Sequence, residues 1–136
     1  MPSSIFELTG DISVQEISLS KRPIKAATDA ATALTAAEAV NGIVTMTPTA
    51  GRALTTPTGA DLKDYIGGPL EIGTTFELTV VNAAAATHAI TLTAAASGIT
   101  LGGVAGMATV AAASSATYVF LCTAVGTPAF TAYRKG

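Results

Sequence analysis

Few residues in this chain have both the type and the neighbours that chemistry needs. His88 is the only imidazole and Cys122 the only thiol among 136 residues. A catalytic or metal-ligating histidine needs a second ligand or a carboxylate, yet no second His, no nearby Cys and no acid closer than Glu77 accompanies His88. It reads as a structural histidine where a connection enters a strand. Ser114-Ser115 has no local base and no nucleophile elbow, so acyl transfer through a Ser/His/Asp set is not expected. The run "GGVAG" from Gly102 to Gly106 lacks the Lys-Ser/Thr of a phosphate loop and opens no helix, so it reads as a turn. Asp61 and Asp64 suit the start of a helix better than a metal pair. Cys122, inside "TYVFLCTA", has no disulfide partner and reads as a small buried hydrophobe. No catalytic residue, cofactor or metal ligand is expected. The chain is expected not to be an enzyme and to take no small-molecule substrate.

Charge excludes further classes. Net charge is −2, with a sequence pI near 5.2, and Lys21, Arg22 and Lys25 form the one basic cluster, without an aromatic stacking platform. A nucleic-acid footprint needs more than this, so no nucleic acid is expected as a partner. From Leu78 to Tyr133, 56 residues, there is no Asp, Glu, Lys or Arg. A spanning helix would need roughly 18 consecutive apolar residues, and this run keeps inserting Thr, Ser, Asn and Gly. An outer-membrane barrel would need aromatic girdles, whereas aromatics are 5% of the chain and Trp is absent. The first ten residues offer no basic stretch followed by an apolar core, so neither a signal peptide nor a membrane partner is expected. What remains is contact chemistry.

The elements that must position these residues follow from periodicity. "AATDAATALTAAEAV" reads as an Ala/Thr linker ending in a helical turn, with Thr35 and Glu38 spaced as a capping box and Asn41-Gly42 as a turn. The main break is placed there, giving residues 1–40 as an N-terminal arm with linker and residues 41–136 as a β-rich domain. "TGADLKDYIGG" reads as one short helix stopped by Gly67-Gly68. Period-two segments mark about eight short strands: Ile43 to Thr47, Arg52 to Thr56, Phe76 to Val81, His88 to Thr93, Ile99 to Leu101, Ala108 to Ala112, Thr117 to Thr123 and Ala129 to Arg134. Phe76 to Val81 and His88 to Thr93 read as a hairpin or near neighbours. The expected class is all-β, a jelly-roll-like sandwich or small barrel with one short helix and an extended N-terminal arm.

Burial sets the expected partners. The hydrophobic fraction of 49% and mean hydropathy of +0.52 are carried largely by Ala, which gains little on burial, so oligomerisation is the economical way to add area. The strand edges carry no protective charge. In Thr117 to Ala124 both faces are apolar, Val119 and Leu121 on one side and Tyr118, Phe120 and Cys122 on the other. Tyr118, Val119, Phe120 and Leu121 are therefore subunit-interface candidates. Arg52, alone in a neutral stretch, joins them, with Glu71 or Glu77 as its expected partner within the chain or across copies. In the arm, Ile5, Phe6, Leu8, Ile12 and Val14 alternate as an extended segment that can either add as a strand to a neighbour, making them candidates for an anchor, or form the first strand pair of the chain's own domain.

The series "LTAAEAVNGIVTMTPTAGRALTTPTGADL", "IGTTFELTVVNAAAATHAITLTAAASGITLGG", "ATVAAASSATYVFLC" and "AFTAYRKG" resembles a β-rich module of tailed-phage virion proteins. That module runs TPT-x-x-R-x-L-T-x-PT, then a short Ala/Leu helix, G-x-x-F-x-x-x-x-x-N, T-V-A-A-G-S-S-A-T and a final Y-R. The match covers about Leu34 to Arg134, with Ala113 where the pattern has Gly, and the first thirty or so residues fall outside it. The resemblance implies a capsid decoration, or cement, protein: a homo-oligomer, commonly a trimer, bound to the major capsid protein on the virion surface after synthesis in the host cytoplasm. The alternative is a head-fibre or tail-fibre module that binds host glycans or a receptor. Its solitary Asn82 and few aromatics make a poor sugar platform.

Overall fold

Period-two runs become strands and the capped segments become helices in the computed structural model, which describes residues 21–103 and 106–135. The order is β1 (Ile24–Ala26), β2 (Thr32–Ala33), α1 (Ala36–Ala39), β3 (Ile43–Met46), β4 (Arg52–Thr55) and α2 (Gly59–Ile66). It continues with β5 (Thr75–Asn82), β6 (Ile90–Thr93), β7 (Ile99–Leu101), β8 (Thr109–Val110), β9 (Ser114–Ala124) and β10 (Ala129–Arg134). The chain is mostly strand, as expected.

Two mixed sheets form. One has six strands in the order β1, β3, β5, β9, β10, β7, and the other four in the order β2, β4, β6, β8. From β1 to β9 successive strands alternate between the sheets, so five of the eight pairings join strands next but one in sequence, and four of those five are parallel. Five of the eight pairings are parallel. This corrects the jelly-roll expectation, since that fold pairs its strands antiparallel through hairpins and Greek keys, and the two open sheets are not a closed barrel either. The expected hairpin of β5 with β6 is also corrected. They lie in different sheets, β5 against β3 and β9, β6 against β4 and β8. Periodicity fixes which side chains share a face of the strand, but not which sheet receives the strand.

Local chemistry explains the helices. The Thr35 hydroxyl accepts from the Glu38 N–H, and the Glu38 carboxylate accepts from the Thr35 N–H at 2.9 Å, completing the box. Asn41 then takes a positive φ of 54°, and Gly42 follows because a Cβ there would sit 1.9 Å from the Glu38 carbonyl oxygen. In α2, Thr58 caps the Asp61 N–H and Gly67 ends the last turn. Asp61 lies in that first turn, where the helix dipole favours it.

One core fills the space between the sheets. Phe76 and Phe120, cross-strand partners of β5 and β9, stack with ring centres 4.8 Å apart, and Phe130 tilts against Phe76 at 6.0 Å. Leu54, Leu62, Leu78, Val80, Val110, Tyr118 and Phe120 are fully buried around them. Side chains also stitch the sheets together. Asn82, at the end of β5, is 1% exposed and spends all its polar atoms. Its Nδ2 donates to the carbonyls of His88 and Val110, and its Oδ1 accepts from Ala84 N–H. The Tyr118 hydroxyl donates to Met107 O, and Arg134 donates to Thr109 O at 2.7 Å. Burial pushes the Tyr118 phenol up, an effect Arg134 partly offsets.

The boundary at Val40 shifts within the described residues. β1 and β2 are edge strands of the two sheets, and Leu34, Ala36 and Ala39 belong to the core, so residues 21–40 are part of the sandwich rather than an arm. The edges also differ from expectation. β1, β2, β7 and β8 are only two or three residues long, and such short edge strands are themselves a protection against foreign pairing.

Candidate functional site

Strand alternation leaves each sheet with an outward face almost free of charge. On the six-stranded sheet, register aligns Ile24, Ile43, Thr79 and Thr117 in one row, and Glu77, Val119 and Tyr133 in the next. Thr75, Leu121, Thr131 and Thr100 form a third. Ile24 is 74% exposed and Tyr133 45%. The Thr79 and Thr117 hydroxyls bond each other at 3.0 Å. Among the described residues the ion pair on this face joins Glu77 to Lys135 at 2.8 Å, with Lys135 holding the Glu77 carboxyl below its usual range and Arg22 adding to the effect. On the four-stranded sheet the outward face is Ala33, Ala53, Thr55, Thr91, Thr93 and Thr109, without a charge. Threonine there serves strand formation through its branched side chain rather than chemistry.

Lys21, Arg22, Lys25, Asp29, Glu38 and Arg52 lie along one edge of the sandwich. Residues 21–33 run along it as a strap, pairing through β1 with β3 and through β2 with β4. Arg22 donates to the carbonyls of Asn41 and Gly42 and to Thr79 Oγ1. Lys25 pairs with Glu38 at 3.0 Å. Asp29 accepts from Thr49 N–H, from Thr49 Oγ1 at 2.6 Å and from Arg52 Nε at 2.7 Å. These donors, Arg52 foremost, hold the Asp29 carboxyl far below the ordinary carboxylate range. Glu38 is lowered chiefly by the Thr35 N–H, with Lys25 contributing. Next to this edge, Lys21, Arg22, Asn41 and Glu77 line an open recess of about 400 Å³.

The candidates from the sequence are distributed unevenly. Ile5, Phe6, Leu8, Ile12 and Val14 lie outside the described residues. Tyr118 and Phe120 are fully buried in the chain's own core, which corrects their assignment to a subunit interface. Val119 and Leu121 do lie on the outward face, half-buried by their sheet neighbours. Arg52 binds Asp29 rather than Glu71 or Glu77, whose separation in sequence gave no hint of sheet position. His88 is half-buried, with its carbonyl taken by Asn82 and its N–H by Ala86 O. The Ser114 hydroxyl donates to Ala111 O at 2.6 Å inside a turn. Cys122 is buried. Among the described residues no three His, Cys, Asp or Glu side chains come together to hold a metal ion. Likewise no helix there is long and apolar enough to cross a membrane.

Three functional side chains were missed. Asp29 is a lone acid in an Ala/Thr stretch, and only the fold brings it to a Thr-x-x-Arg turn twenty residues on. Arg22 was placed only in a basic cluster and Arg134 only at a strand end, yet both donate to main-chain carbonyls of neighbouring segments. Comparison of the chain with family models, with curated proteins and with solved structures found no match.

Proposed function

We propose that the chain is a structural protein of a tailed-phage virion: a decoration, or cement, protein that seats on the capsid exterior, contacts the major capsid protein and stabilises the shell by bridging capsomers. It acts as a homo-oligomer, expected to be a trimer, without catalysis, cofactor, nucleic acid or membrane. The observation that carries this reading is the pair of outward sheet faces, one lined by threonine and alanine and uncharged, the other a mixture of threonine and aliphatic side chains with one ion pair among the described residues. Faces so poor in charge lose little solvation when a protein neighbour covers them. The sequence resemblance points the same way. Residues before 21, with Ile5, Phe6, Leu8, Ile12 and Val14, supply the anchoring arm.

A cement protein binds the assembled shell and not the dispersed subunits, so it stabilises the shell by mass action. Purified chain added to expanded empty heads should saturate them in many copies and raise their disruption temperature. Val119→Glu, which puts a charge on the outward face, should fold normally and weaken that binding. Failure of the wild-type chain to bind heads, together with binding to host cells or glycans, overturns the proposal in favour of a fibre module. The polar recess beside Arg22 and Glu77 is the feature that favours this second reading.

A further inference from the structure

We propose that the edge strap exchanges between copies, residues 21–33 of one chain pairing with β3 and β4 of a second copy. Three properties of the strap carry this.

First, it is attached without burial. No residue from Lys21 to Ala33 is buried, whereas the strands beneath it contribute Val44, Met46 and Leu54 to the core at 2% exposure or less. Its hold is a short parallel ladder, Ile24 to Ala26 on β3 and Thr32 to Ala33 on β4, together with the ties of Arg22, Lys25 and Asp29. Segments with few apolar contacts and solvent-facing hydrogen bonds are the ones that open locally while the rest stays folded.

Second, when the strap opens it uncovers an edge on both sheets at once. Those edges keep a specific set of partners: the carbonyls of Asn41 and Gly42 with Thr79 Oγ1, the Glu38 carboxylate, and the Thr49 N–H and hydroxyl beside Arg52. An incoming strand must offer a guanidinium, then an ammonium, then a carboxylate, at the spacing of Arg22, Lys25 and Asp29. The strap of another copy offers that set in the right order and register. Charge complementarity therefore selects a second copy as the occupant.

Third, the strap ends in a short hinge. Two residues, Leu34 and Thr35, separate β2 from α1; Leu34 is held in the core and Thr35 caps α1, so the strap can leave its edges while the connection keeps its place, and elements joined by short connections can exchange between identical chains. The exchanged contacts are the same as the closed ones, so the balance is set by concentration. The tethered strap competes at an effective concentration on the order of millimolar. Exchange is therefore expected in concentrated solution or among copies crowded on one surface. It concerns the chain by itself, and stands or falls separately from the capsid reading.

Ala26 and Thr45 are register partners of β1 and β3, which puts their Cα atoms about 4.8 Å apart and within disulfide reach. Full-length Ala26→Cys and Thr45→Cys chains, mixed over a range of concentrations and mildly oxidised, should form the mixed disulfide dimer several-fold over either like-with-like dimer. The excess should rise with concentration. The native Cys122 is buried and should stay unreacted. The double variant A26C/T45C, oxidised at high concentration, should give a ladder of linked chains. Exchange is overturned if the mixed dimer never exceeds twice either like-with-like dimer, the proportion that random pairing gives, or if the double variant closes only within single chains. Circular dichroism of each single variant establishes that it is folded, and Ile24→Cys paired with Ile43→Cys supplies an independent register pair on the outward face.

Discussion

The strap and the centre of the six-stranded sheet are both β-structure, yet different forces hold them. At the centre, β5, β9 and β10 pair over long registers and bury Phe76, Phe120 and Phe130 in contact. At the edge, the strap pairs over three residues and then two, has no fully buried residue and only Ala27 packed against the core, and relies on carboxylates and cations at the surface. Burial is indifferent to pH and salt, while exposed ion pairs are weak and screened. The difference teaches that strand pairing alone says little about how firmly a segment is held.

The largest effect is expected at the centre. Phe120→Ala should destabilise the chain by about 3–5 kcal/mol through lost transfer energy and the cavity left under Phe76, measured by urea unfolding. A smaller cost would mean the aromatic stack is not what holds the two sheets. Asn82→Ala should cost about 1–3 kcal/mol, because the Val110 and His88 carbonyls and the Ala84 N–H lose their buried partner. Ala113, at φ 56° just before β9, works in the opposite direction. Ala113→Gly should stabilise by about 0.5–1 kcal/mol by relieving a left-handed alanine. It would also restore the residue that the phage-module pattern carries there.

At the edge the global effect is smallest and the local one clearest. Asp29 and Glu38 are both held below their usual values, so the unfolded chain binds more protons than the native one at those sites. The stability they contribute is present above the ordinary carboxylate range and lost as pH falls through the lowered values. Hydrogen exchange, corrected for its intrinsic pH dependence, should show residues 21–34 losing protection on acidification before β9 does. Uniform loss across the sandwich would erase the contrast between the two regions. Val119→Glu should change unfolding free energy by no more than about 1 kcal/mol, since it leaves the core intact.

Much of the local structure was legible because it depends on neighbours in sequence. The Thr35 and Glu38 capping box, the Asn41 turn, the helix from Gly59 and nearly every strand lie where periodicity and turn residues place them. What was not legible depends on partners far along the chain. Asp29 meets Arg52, and Asn82 meets Val110, only after the strands alternate between sheets. The motif residues behind the phage resemblance, Arg52, Asn82 and Arg134 among them, turn out to hold the fold. The outward faces are left to Val119, Leu121, Tyr133 and the threonines.

By itself the sequence determined a mostly-strand chain with two capped helical turns, a long uncharged run and a strand apolar on both sides. Side-chain period and capping act over a few residues, so no tertiary information was needed for that. Only the tertiary structure decided which side of β9 faces its own core, that successive strands cross between two largely parallel sheets, and that residues 21–33 are an edge strap. Those outcomes turn on which distant strand completes a ladder, and many distant strands in a chain this rich in Ala and Thr look alike until they are packed.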